Sequence, residues 1–315
     1  MSQNLRGYAY AALSSSSYGV NAFAVLLYTS GLTSDTVLFY RYLFAILVML
    51  GLMVARRHSF GLTLREFALA CPMGLLFAYS SLSLFESYKY MDVSLAATVL
   101  FVYPALVALT LWVAFRERPS KMTLAAIPAV FVGIVLLDWE GISGGGSSLV
   151  GMLLVLSSAL SYAIYMVVVQ KSCLSAMPSL KLGFYSLFFG FFLFLFKTKF
   201  GVEVQPLTTP LQWVIALALA IFPSFISLSS MALAIRYVGS TATAVLGAFE
   251  PLTSVLIGVC LFGERPAPVS WVGMIVILLS VTTVVAQNRI VRLGGRLVDF
   301  VTGHTHIRRH PHMGT

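Results

Sequence analysis

Charge is scarce in this sequence. Asp, Glu, Lys and Arg make up only 10% of its 315 residues, where a soluble globular domain carries about a quarter. With 59% of residues hydrophobic, lipid must solvate most of the folded surface. Cysteine is nearly absent. Cys71, Cys173 and Cys260 are scattered and form no Cys-x-x-Cys pair, so neither a disulfide framework nor a zinc site is indicated. The five histidines, His58, His304, His306, His310 and His312, all fall outside the apolar runs. GISGGGS at 141–147 superficially matches an intramembrane serine-protease turn, but that chemistry needs a general base, and the runs supply none. No Gly-x-x-x-x-Gly-Lys loop occurs, which counts against direct ATP drive. The opening MSQNLRGYAY lacks the n-region and cleavage site of a secretory signal, so the first apolar run is expected to be retained.

What the chain does have is apolar runs of roughly 17–25 residues along its whole length, the requirement for membrane-spanning helices. Ten spans are predicted: 7–29, 34–55, 67–88, 94–115, 122–138, 149–170, 181–198, 211–235, 241–263 and 269–287. The net charge of +9 sits in short loops and the tail, so no nucleic-acid partner is expected. With the N-terminus inside, fifteen of the 20 Lys and Arg fall on the cytoplasmic side and five, Arg41, Lys89, Lys197, Lys199 and Arg265, on the outer side. The positive-inside bias therefore predicts that both termini are cytoplasmic.

The chain is also written twice. Residues 241–266, TATAVLGAFEPLTSVLIGVCLFGERP, repeat 94–119, SLAATVLFVYPALVALTLWVAFRERP. An offset of 147 residues pairs Tyr90 with Tyr237, Ala97 with Ala244, Pro104 with Pro251, Phe115 with Phe262 and Glu117 with Glu264. The predicted organisation is a five-helix repeat over 1–140, a glycine-rich linker at 141–148, a second repeat over 149–287 and a basic tail at 288–315, which could lie along the inner leaflet or stay solvated. Five spans per repeat force the second copy to enter from the opposite side, so the fold class is an all-α membrane protein of two inverted repeats.

Polar stripes obey the same repeat. Ser14, Ser17, Tyr18 and Asn21 in span one match Ser158, Ser161, Tyr162 and Tyr165 in span six at an offset of 144. Both sets follow the i, i+3, i+4, i+7 spacing of one helix face. Ser80 and Ser83 in span three match Ser227 and Ser230 in span eight. Serines alone would suit close helix packing. Tyrosines on the same faces point instead to a shared wet cavity. Glu250 is the one acid at mid-span, and intramembrane acids are functional candidates by default. Its repeat partner is Tyr103, so the symmetry breaks there. Pro104 and Pro251 are expected to kink spans four and nine and serve as hinges. Arg41 can snorkel outward or meet a substrate carboxylate, and snorkelling is the expectation; Glu117 and Glu264 are expected to pair at span ends.

Two five-span halves, a fourth span ending in Glu-Arg-Pro in each, and Tyr-Arg-Tyr-Leu-Phe at Tyr40–Phe44 resemble the drug/metabolite transporter superfamily, of the EamA type. The resemblance covers about residues 5–287. It implies a prokaryotic inner-membrane secondary transporter, exporter or exchanger, of small organic metabolites such as amino acids or related amphipathic solutes. It also implies a cavity between the halves. The expected pathway residues are Ser14, Ser17, Tyr18, Asn21, Tyr79, Ser80, Ser83, Tyr103, Ser158, Ser161, Tyr162, Tyr165, Ser227, Ser230 and Glu250. No catalytic residue, metal or cofactor is expected; the partners are a small-molecule substrate, the lipid bilayer and, as a candidate coupling ion, protons. An intramembrane enzyme and a channel are the alternatives, disfavoured by the missing base and the missing filter.

Overall fold

In a bilayer core no water can satisfy free backbone groups, so a spanning chain must close its hydrogen bonds within helices or a closed barrel. The computed structural model takes the helical solution. It describes residues 3–90, 96, 99–137, 139, 149–262, 267–280 and 282–283, and has no strand among them. The expected linker at 141–148, the tail from 288, and Glu264 with Arg265-Pro266 lie outside the described residues.

The first repeat comprises α1 (Gln3–Gly19), α2 (Ala24–Thr29), α3 (Ser34–Ala55), α4 (Leu64–Ser87), α5 (Tyr103–Phe115) and α6 (Lys121–Leu137). A 3₁₀ turn, Val20–Phe23, separates α1 from α2. The second comprises α7 (Leu149–Lys171), α8 (Ser179–Lys197), α9 (Pro210–Leu219), α10 (Ser227–Leu246), α11 (Phe249–Phe262) and α12 (Pro268–Ser280). One turn of π-helix, Ala220–Ile226, joins α9 to α10. Five helices are long and apolar enough to cross a membrane: α3, α4, α7, α8 and the rod Pro210–Leu246, which is bent at Gly239; α5, α6 and α12 are shorter apolar helices. Their outer faces stay apolar where nothing packs, with Val54, Val113 and Val214 more than half exposed.

The duplication extends to the helix starts. Thr63 caps α4, accepting from Glu66 N at 3.3 Å while its own N–H reaches Glu66 Oε2 at 2.8 Å. Thr209 and Gln212 repeat the arrangement at α9, at 3.3 and 3.2 Å. Each box satisfies donors that a helix N-terminus leaves free.

The halves interlock rather than stand side by side. α1 packs most extensively on α10, α4 on α7 and α8, and α8 also on α3. Glycine allows the closest of these approaches. A Cβ on Gly74 would come within 2.8 Å of Ser186 O, and one on Gly190 within 2.8 Å of Gly74 O and 3.0 Å of Tyr42. Small residues at such crossings let helices gain van der Waals contact, the main driving force when lipid is as apolar as leucine. Gly190→Val is therefore expected to overpack the α4–α8 crossing, at a cost of about 2 kcal/mol, and to lower the unfolding temperature in detergent. An unchanged unfolding temperature would refute this crossing.

Candidate functional site

Two spans are broken at matched places. Residues 101–102 form a turn before α5, whose first residues are Tyr103 and Pro104. Gly247 and Ala248 form a turn before α11, whose first turn holds Glu250 and Pro251. Proline has no N–H to give the preceding turn, yet it fits the first turn of a new helix. Each span therefore stops and restarts at its proline. The chains come very close here: a Cβ on Gly247 would lie 1.6 Å from Tyr103 Oη, and one on Gly19 2.7 Å from Glu250 O. Tyr103 donates to Ala244 O at 3.1 Å, tying the first repeat to the end of α10.

Around these breaks lies a cavity of about 20 Å³, room for about one water. Its walls include Tyr18, Ser80, Tyr103, Ser158, Tyr162 and Glu250. The Tyr103 and Tyr162 rings meet edge to face at 5.0 Å, and Tyr162 donates to Met231 Sδ at 3.0 Å. Phe77, Ser81, Leu84 and Leu100 complete the lining; apolar spans contain too many such residues for spacing to single them out.

The serine faces also make the helix crossings, and the other sequence candidates lie outside the cavity. Ser14 Oγ donates to Ser227 O at 2.9 Å, and Ser158 Oγ to Ser80 O at 2.7 Å. The hydroxyls of each pair also meet, at 3.2 and 3.1 Å. These are one contact made twice, since the repeat offsets carry Ser14 onto Ser158 and Ser80 onto Ser227. Ser161 bonds back to Ser157 O on its own helix. Ser17, Ser83 and Ser230 are buried outside the lining. Tyr165 is buried against Phe77 and bonded to Ser186. Tyr79 is 42% exposed and directed to Ser157, because one residue of helix turns it about 100° from Ser80.

Arg41 corrects an expectation. It does not snorkel outward but is 1% exposed. Its Nε donates to Ser224 Oγ at 2.8 Å and its Nη1 to Asn21 Oδ1 at 3.1 Å. The guanidinium carbon lies 5.4 Å from the centre of the Tyr18 ring. Glu250 lies within electrostatic reach of that charge, yet is in no ion pair among the described residues. Span nine holds no base, so sequence distance alone hid this neighbour.

The two ends of the bundle differ. At the end expected to face outward, Gln205 is bonded through its side chain to Thr33 N and Gly31 O, and through its backbone to Thr36 and Tyr40. Lys197 bridges Asp35 at 2.8 Å and Glu86 at 3.3 Å. At the other end are cavities of about 320 Å³ and about 150 Å³, both bordered by Gln170 and Gly239. The smaller spans the repeats, from Leu111 and Glu117 to Val238 and Ser240. Glu117 pairs with Lys171, and Gln170 accepts from Ser240 N at 2.6 Å. Gly239 takes φ +83°, a conformation that favours glycine and lets the rod Pro210–Leu246 turn there. Among the described residues no group of three or more His, Cys, Asp or Glu is placed to hold a metal.

The family model of the EamA-like transporter family matches residues 5–138 and again 149–286. The chain belongs to this family. It is thus an integral membrane protein and a transporter of the drug/metabolite type, made of two EamA repeats. A solved structure titled only "Crystal structure of protein" is similar at TM-score 0.71 and 19% identity, over 90% of this chain and 98% of its own; at that identity the likeness shows the fold alone. No curated protein matches the EamA chain described here.

In this EamA protein the paired serines give a direct test. On a background without Cys71, Cys173 and Cys260, cysteines at 14 and 227, and separately at 80 and 158, are expected to bridge through mercuric ion. Failure of both pairs would mean that α1 and α7 present other faces.

Proposed function

We propose that this protein is an inner-membrane secondary transporter, exporter or exchanger, of small organic metabolites such as amino acids or related amphipathic solutes. It has ten spans, in two inverted repeats, with both termini cytoplasmic. It works by alternating access between the repeats. The observation that carries the reading is the cavity at the two matched helix breaks, where Tyr103 of one repeat and Glu250 of the other face the same space. Broken helices at the interface of inverted repeats are the usual place for substrate and coupling ions in such folds. Aromatic walls suit the apolar part of an amphipathic solute, and hydroxyls with one acid suit its polar part. The pathway comprises Tyr18, Tyr103, Tyr162 and Glu250 with the serine faces beside them, and Pro104 and Pro251 mark its hinges.

The cavity holds about one water, far less than a metabolite needs, so the conformation is closed around the site. The tied outer end and the larger cavities at the opposite end favour a path that next opens toward the cytoplasm. Glu250 is the coupling residue: an acid that gains or loses a proton beside the α11 break can bias which half-path is closed.

Flux into proteoliposomes with a metabolite panel and imposed pH gradients tests the transport reading. Glu250→Gln keeps shape and hydrogen bonding but cannot titrate. Gradient-driven accumulation is expected to be lost in this variant while exchange at equal pH survives. Accumulation with unchanged pH dependence would remove Glu250 from the coupling step. Orientation has a separate check, in which a cysteine at 145 should react with an impermeant reagent from outside intact cells.

A further inference from the structure

Arg41 is a buried cation whose neighbours account for only part of it. Its hydrogen-bond partners, Ser224 and Asn21, are neutral, as is the Tyr18 ring beside it. Nη2 is sealed from solvent and has no acceptor, and Arg41 is in no ion pair among the described residues. A guanidinium keeps its charge in a protein, and a buried charge without a counter-ion is costly. Such a group inside a membrane marks a functional place unless packing demands it.

Packing does not demand it, as the other repeat shows. α3 and α8 begin at Ser34 and Ser179, an offset of 145 that carries Arg41 onto Ser186. The offsets of 144 and 147 carry Asn21 onto Tyr165 and Phe77 onto Ser224. The matching place therefore holds a neutral hydroxyl pair from the second repeat, Tyr165 with Ser186 at 3.0 Å, and from the first the Phe77 ring 5.1 Å from Tyr165. Around Arg41 the first repeat supplies the cation and the amide, and the second supplies the serine. Both acceptors for Arg41 sit on irregular turns, Asn21 on the 3₁₀ turn after α1 and Ser224 on the π-turn with Pro223. Interruptions of this kind are frequent at functional sites.

We propose that Arg41 is an anion subsite of the central cavity, taking the carboxylate of the transported solute on Nη2 when the Tyr18 ring moves aside. This rests on the transport reading above. Arg41 lies one side chain back from the cavity, behind a residue that lines it. A planar guanidinium matches a carboxylate in geometry as well as charge. Glu250 is too far to pair with it, so a bound carboxylate becomes the nearer counter-ion. The solute class is a small monocarboxylate whose apolar body rests on Phe77, Tyr103 and Tyr162.

The test measures binding of phenylacetate and butyrate, each against its neutral amide, to the full-length protein in nanodiscs. The acids are expected to bind about tenfold or more tightly than the amides, the value of a charge-assisted hydrogen bond. Asn21→Asp places an internal carboxylate beside the guanidinium. It is expected to raise the unfolding temperature and erase the preference for acids. Arg41→Gln is expected to erase the same preference. Should Arg41→Gln fail to fold, Asn21→Asp decides alone, because it adds a counter-ion and removes none. Equal binding of acid and amide by the parent protein, or a preference that persists in Asn21→Asp, overturns the subsite. Flux of the wider metabolite panel separates the two readings: flux without a preference for carboxylates overturns only the subsite, whereas no flux of any solute overturns transport itself.

Discussion

Among the crossings that join the halves, α1 on α10 and α4 on α7 set the centre, and the cavity is arranged around them. Each is made by a helix from one repeat against a helix from the other, and each carries a serine-to-carbonyl bond at its contact. In lipid these bonds are modest, about 0.6 kcal/mol on average. Their weight comes from position. They fix the rotation of four helices at once, and that rotation turns Tyr18 and Tyr162 toward the helix breaks. The packing and cavity readings of a polar stripe are therefore not rivals here. On α7, Ser158 makes the crossing bond and also borders the cavity that Tyr162 lines.

Much of this was legible from period and repeat. The offset of 147 placed matching prolines in spans four and nine, and both spans break just ahead of them. The α3 boundaries, Ser34–Ala55, coincide with the predicted span. Missed were features whose partners lie far away in sequence. Arg41 falls among the outer charges in sequence because depth along a helix can be read from sequence whereas direction around it cannot. Its acceptors come from spans one and eight, one of them from a π-turn that a proline alone does not announce. Gln170 and Gln205 carry no sequence signal for the same reason, each bonding to backbone across a long stretch of chain. Adjacency and period group Tyr79 and Tyr165 with the cavity. One points to the outside of the bundle, and the other lies about two turns of helix beyond Ser158, bonded to α8.

The asymmetry between the repeats is more informative than the symmetry. Where they agree, in capping boxes, serine bonds and helix breaks, the shared features build the frame. Where they differ, the first repeat has a 3₁₀ turn with Asn21 and a buried Arg41, and the second has Glu250 in place of Tyr103. The buried cation and the mid-span acid thus come from different halves and from spans that do not match. A duplicated scaffold can acquire polarity in this way without disturbing the crossings.

The serine crossings also bear on how the chain is made. Ser14 finds Ser227 across 213 positions, and Ser80 finds Ser158 across 78. While the ribosome is still translating the second copy, α1 and α4 are already in the bilayer with their polar faces unmatched. α4 is matched first, when α7 is inserted, and α1 waits for α10, near the end of synthesis. The newborn first half thus presents its polar faces unmatched for a defined interval, in which membrane quality control can recognise it.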